Sequence, residues 1–117
     1  MKIAEWAHCE VWFHSKALEE FLSAPDNDRA RAERIINHIS EQGPELLNDK
    51  QFKQEGRYIS ETGKVVVCAV KSYQLRIYGG WLNGPTRVFL CPEATIKKTM
   101  KADSKQLKRI ASKVGEK

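Results

Sequence analysis

The order of periodic segments predicts an α+β domain, β-α-α-β-β-β-α, with a mainly antiparallel sheet, a helical hairpin on one face and a C-terminal helix. Three observations predict it. Two adjacent stretches of helical period follow one amino-terminal strand. Three runs of strand type then succeed one another through short spans, so they should be antiparallel. A final stretch returns to helical period.

Residues 2–13 mix apolar and polar side chains without clean alternation and read as one strand. Ser15 can cap a short helix whose Leu18, Phe21 and Leu22 share a face, and Pro25 stops it. Asp26 to Asp28 open a second helix. Ala32, Ile35, Ile36 and Ile39 form its apolar stripe, and Gly43-Pro44 ends it. So short a joint suggests an antiparallel helical hairpin. Residues 44–63 show no period and read as loop, with Phe52 tucked into the core. Residues 65–70 (VVVCAV) are apolar and β-branched, as in a buried central strand. Lys71-Ser72 reads as a tight break. Residues 73–78 (YQLRIY) alternate, with Leu75 and Ile77 on one side and Gln74, Arg76 and Tyr78 on the other. Gly79-Gly80 and Asn83-Gly84-Pro85 punctuate a hairpin loop around Trp81 and Leu82. Residues 86–91 form the next strand, which Pro92 ends or places at an edge. Ser104 or Asp103 caps the last helix, with Leu107, Ile110, Ala111 and Val114 inward and Lys105, Lys108, Arg109 and Lys113 toward solvent.

The 117 residues suit a single domain spanning 1–117, with 41% hydrophobic and 30% charged residues. No run of 18 apolar residues suggests a transmembrane helix, and the acidic residues among the first twenty argue against a signal peptide. Three cysteines (Cys9, Cys68, Cys91) without a CxxC pair argue against a disulfide framework and against zinc. A cytoplasmic protein with reduced thiols, no membrane association and no cofactor is therefore expected.

Charge is uneven along the chain. Residues 1–60 carry 8 basic and 11 acidic side chains, whereas the rest carry 12 basic and 4 acidic, a net of +8. That half should project a positive potential suited to a polyanion, either nucleic acid or an acidic protein segment. No phosphate-binding glycine loop, dinucleotide fingerprint or zinc-protease motif is present. His8, His14 and His38 lack a second ligand or acid at useful spacing and read as surface or capping residues. Cys68 and Cys91, inside apolar runs, read as buried hydrophobes. What remains is a basic set, Lys71, Arg76, Arg87, Lys97 and Lys98, with Tyr78 beside it. Such a set can cleave RNA through its own 2′-hydroxyl without a metal. Lysine and arginine stabilise the phosphorane, and a lysine with lowered pKa shuttles protons. Tyr78 or Trp81 can stack on a base.

The segment from Lys64 to Ala111 resembles the RelE/ParE toxin superfamily, closest to its phage-derived, HigB-like branch. The residues that carry the likeness are Lys71, the strand Leu75-Arg76-Ile77, the stretch Lys97-Lys98-Thr99-Met100-Lys101 and the basic C-terminal helix. The resemblance implies a small RelE-like domain. Its activity would be that of a toxin of a toxin–antitoxin pair, a metal-independent endoribonuclease cutting mRNA on the ribosome. Its partners would be mRNA, the ribosome and a cognate antitoxin, the last in a toxin–antitoxin hetero-oligomer. By the same resemblance Arg76 binds the scissile phosphate, and Lys71, Lys97 and Lys98 add charge or proton transfer. RNA would be held by Tyr78, Arg87, Lys101, Lys105 and Lys108. The alternative is a non-catalytic binder on the same scaffold, either a DNA gyrase poison or an antitoxin-binding orphan. Ala94, where the family often has an aromatic residue, and the glycine-rich loop at residues 79–85 depart from the family pattern.

Overall fold

The computed structural model describes residues 1–60, 63–82, 85–96 and 104–115. Its elements are β1 (Lys2–Glu5), β2 (Glu10–Phe13), α1 (Ser15–Ser23), α2 (Asp26–Gln42), β3 (Phe52–Ser60), β4 (Gly63–Ser72), β5 (Leu75–Leu82), β6 (Val88–Ile96) and α3 (Ser104–Gly115). The chain is an α+β domain. Its six strands form one sheet in the order β1-β2-β6-β5-β4-β3, antiparallel throughout except for the parallel pair β2 and β6.

The amino-terminal strand is two strands. Cys9 and His8 donate their backbone N–H groups to Ser40 O, and Trp6 N–H bonds Cys9 O, so α2 fixes a bend between β1 and β2. The bend carries no glycine or proline, so nothing in the local sequence announces it. The segment read as loop holds β3, an edge strand half polar in composition, which exists because β4 offers it a ladder along its length, broken by one irregularity at Glu55. β4 runs through Lys71 to Ser72, and the turn lies at Tyr73-Gln74. β5 continues through Gly79 and Gly80 to Leu82, so Trp81 and Leu82 belong to a strand. At Gly79 a Cβ would lie 2.6 Å from the carbonyl oxygen of Leu90 on β6; only glycine lets the two backbones approach this closely. Pro92 does not end β6. The register skips there, with Cys91 and Pro92 facing Gly79 between the pairs Tyr78–Glu93 and Gly80–Leu90. At such a bulge the missing N–H costs no ladder bond.

His14 rather than Ser15 is the residue before α1, and its side chain makes no capping bond. α2 ends as expected at Gly43, whose φ of 85° suits glycine and whose N–H bonds Ile39 O. Side chains of the two helices share one core, with Phe21 and Ile36 in the same cluster. α1 lies on β6, while α2 reaches from β4 to β1. Together they bury one face of the sheet, where Phe13, Phe21, Ile35, Ile36, Ile39, Val70, Leu75, Ile77 and Phe89 form the main core. The other face, expected to be open, is covered in part by α3. Leu107, Ile110, Ala111 and Val114 pack there on Val65, Val67, Ala69 and Tyr78 as a second core. The result is three layers, with one end of the second face lying beyond α3.

Candidate functional site

The end beyond α3 holds a cleft of about 420 Å³ lined, among the described residues, by Arg31, Asp49, Lys50, Lys53, Lys71, Tyr73 and Arg76. Among the described residues, five cations therefore meet a single lining carboxylate. Strand geometry brings three of them together. Lys71 on β4 is the cross-strand partner of Arg76 on β5, and Lys53 on β3 pairs with Ala69, two residues before Lys71 and on the same face. The other two come from outside the sheet. Ser72 Oγ donates to Asp28 O at 2.6 Å, tying the end of β4 to the first turn of α2. One turn later, the Arg31 guanidinium sits 5.0 Å from the centroid of the Tyr73 ring. The loop before β3 is shaped by Asn48. Its side-chain oxygen accepts from Lys50 N–H at 2.9 Å, and its carbonyl accepts from Gln51 and Phe52 N–H. Gln51 O accepts in turn from Lys71 N–H at 2.8 Å, which clamps the Asp49-Lys50 tip over the cleft.

Tyr73 is the unusual residue. Its φ is 54°, a conformation that bulky side chains rarely adopt, and its ring is 58% exposed. The Arg76 guanidinium holds the turn from below, donating to Tyr73 O and, at 3.1 Å, to Leu75 O. Lys71 is largely enclosed. Its side chain is 13% exposed, with Nζ 3.8 Å from a Glu55 carboxylate oxygen. Burial pushes its pKa below the ordinary lysine value. Glu55 and Asp49 oppose that shift, and the like charges of Lys53 and Arg76 add to it.

The other expected site residues lie elsewhere. Tyr78, expected to face outward, is 1% exposed beneath α3 and offers no ring to a base. Its parity with Arg76 is as read, but the helix covers the sheet at that point. Arg87 sits at the far end of the β5–β6 hairpin, beyond the Leu82–Val88 pair. From Arg76 to Leu82 is about 20 Å of strand at about 3.3 Å per residue. There the Arg87 guanidinium stacks 4.2 Å from the Trp81 ring centroid and bonds His8 Nε2 at 2.9 Å. Trp81 is thus occupied as well. Lys105 and Lys108 are exposed on α3. Lys97, Lys98 and Lys101 fall outside the described residues, and β6 ends at Ile96, opposite Leu75.

Arg109 and Lys113, expected to point to solvent, instead serve Glu93. This carboxylate is 1% exposed and receives Arg109 Nε at 2.6 Å, Arg109 Nη2 at 2.8 Å and Lys113 Nζ at 3.1 Å; Lys16 Nζ stands at 3.6 Å. The Arg109 hydrogen bonds, with Lys113 behind them, hold its pKa down at about 2 against burial. Glu93 is thus a docking post for α3 and not a rim residue. The three cysteines are buried, and burial raises Cys9 to about 11 and Cys68 to about 12, as expected of thiols that serve as small hydrophobes. Among the described residues no three His, Cys, Asp or Glu side chains assemble as a metal site, and no helix is long and apolar enough to cross a membrane.

Arg31, Lys50 and Tyr73 escape sequence reasoning because they belong to three separate segments that only the tertiary fold joins. Lys53 was legible only once β3 is known to be a strand. No family model matches the chain, and neither a curated protein nor a solved structure matches it.

Proposed function

We propose that this chain is the toxin of a toxin–antitoxin pair, a metal-independent endoribonuclease that cleaves mRNA on the ribosome. The observation that carries this reading is the convergence of Lys71 and Arg76 with Arg31, Lys50 and Lys53 around an exposed tyrosine in one cleft. A phosphodiester entering the cleft meets cations on several sides, and Tyr73 is available to stack on a neighbouring base.

The chemistry is internal transesterification. The 2′-hydroxyl loses its proton as its oxygen attacks phosphorus, and Asp49, the carboxylate lining the cleft, accepts that proton. Arg76 stabilises the equatorial oxygens of the phosphorane. The bond to the 5′-oxygen breaks, and Lys71 protonates the departing oxygen, its lowered pKa making the proton easier to give. The products are a 2′,3′-cyclic phosphate and a 5′-hydroxyl. The protein's remaining cations orient the strand. An antitoxin would act by presenting an acidic segment to the same cleft.

The test is message integrity on purified ribosomes, read by primer extension. Wild-type protein should cut within bound message. Arg76→Ala should lower the rate by about 10²–10³, as loss of one charge-stabilising donor does, while circular dichroism reports an unchanged fold. Intact messages with folded wild-type protein would overturn the enzyme reading. Broken chromosomal DNA in arrested cells, with messages whole, would instead identify a gyrase poison on the same scaffold.

A further inference from the structure

The basic cleft continues past Arg31. That side chain also lines a second hollow of about 340 Å³ on the outer side of α2, together with Arg34, Ile35, His38, Leu47 and Gln51. Arg31, Arg34 and His38 stand at i, i+3 and i+7, so the helix presents them on one face. Gln51 follows Lys50, which lines the first cleft. The two hollows therefore adjoin at Arg31 and at the 50–51 backbone.

The second hollow is chemically distinct from a random dent. Two guanidinium groups, an imidazole and a carboxamide line it, and among the described residues no carboxylate does. His38 Nε2 is buried and has no hydrogen-bond partner among the described residues, a condition native structures rarely leave standing. Arginine, histidine and glutamine all present N–H donors to phosphate oxygens. Ile35 and Leu47 supply an apolar wall for a sugar.

We propose that this hollow is a second phosphate subsite, which binds a further phosphate of the same strand whose scissile phosphate lies at Arg76. The ligand is then a single-stranded polynucleotide gripped at two phosphates, with Arg31 between them. The proposal rests on the reading of the first cleft as a phosphate site. It adds what that reading lacks, a direction for the strand, from the β4–β5 turn along the outer side of α2.

The experiment titrates two uncleavable probes, a 2′-O-methyl hexanucleotide and a 2′-O-methyl dinucleotide with one phosphate, into wild-type protein, Arg34→Ala and His38→Gln. Arg34 is exposed, so its removal spares the core. Arg34→Ala should weaken the hexanucleotide about tenfold at low salt and His38→Gln several-fold, with the dinucleotide unchanged. The slope of log affinity against log salt for the hexanucleotide should flatten by about 0.7 in Arg34→Ala, the share of one single-strand phosphate. Equal hexanucleotide affinity in all three proteins would overturn the subsite and leave the first cleft standing. Equal losses for both probes would also overturn it, because Arg34 would then act only through the first cleft. A wild type that binds neither probe would remove the phosphate reading of both hollows.

Discussion

Tyr73 sets two demands against each other. A φ of 54° is strained for a tyrosine, yet the turn holds its ring in the open beside Arg31 and Arg76. Strain kept at a cleft points to a role for the ring. Tyr73→Gly relieves the backbone and loses the stacking of Arg31. Its stability should therefore stay within about 1 kcal/mol of wild type in urea unfolding, the two effects being of similar size. Affinity for single-stranded RNA should fall by about 1–3 kcal/mol, the worth of one stacked base. A glycine variant that binds as tightly as wild type would show that the ring is idle. This residue also marks a limit of sequence reasoning. Period-two alternation places Arg76 and Tyr78 on one face correctly, and Lys71 joins them by pairing. Alternation has nothing to say at a turn, where a side chain leaves both faces. Nor does it say what lies over a face, which is why Tyr78 reads as exposed and is buried.

At the scale of the element, α3 owes its position to an apolar stripe and one buried carboxylate. The stripe of Leu107, Ile110, Ala111 and Val114 is legible from its spacing, and the structure buries all four. The carboxylate is not legible, because Glu93 and its partners Arg109 and Lys113 are far apart in sequence and belong to different elements. Glu93 is held near pKa 2 against an ordinary 4.5, which corresponds to about 3 kcal/mol of stability at neutral pH. Its folded pKa is the lower one. The contribution is therefore full above pH 4.5 and fades as pH falls toward 2. Glu93→Gln should unfold about 2–3 kcal/mol more easily than wild type at pH 7, and the difference should shrink steadily below pH 4.5. A constant gap across that range, followed by denaturant unfolding, would mean that the carboxylate's charge does not dock the helix. Hidden strands follow the same logic as Glu93. β3 and the second half of β6 are made by their partners, β4 and β5, more than by their own residues. Polar β3 and Pro92 therefore mislead when read alone.

At the scale of the whole molecule, described cations of the sheet lie at two opposite ends of it. Lys53, Lys71 and Arg76 face the cleft, while Arg87 is spent on Trp81 and His8 at the opposite end. The net charge of the second half predicts polyanion binding, and the fold decides which charges can share one ligand. Lys53→Ala should flatten the salt dependence of RNA affinity by about 0.7 in slope, whereas Arg87→Ala should leave the slope as it is. A matching change in both variants would mean that the polyanion spans the entire surface. The parallel pairing of β2 with β6 has a different reach. Glu10 lies beside Val88, so β2 finds its second neighbour only when most of the chain exists. During synthesis β2 has only β1 beside it in the sheet until β6 exists, and β6 also brings Glu93, the anchor of α3. A product cut short before β6 has neither its central support nor a place for its beginning.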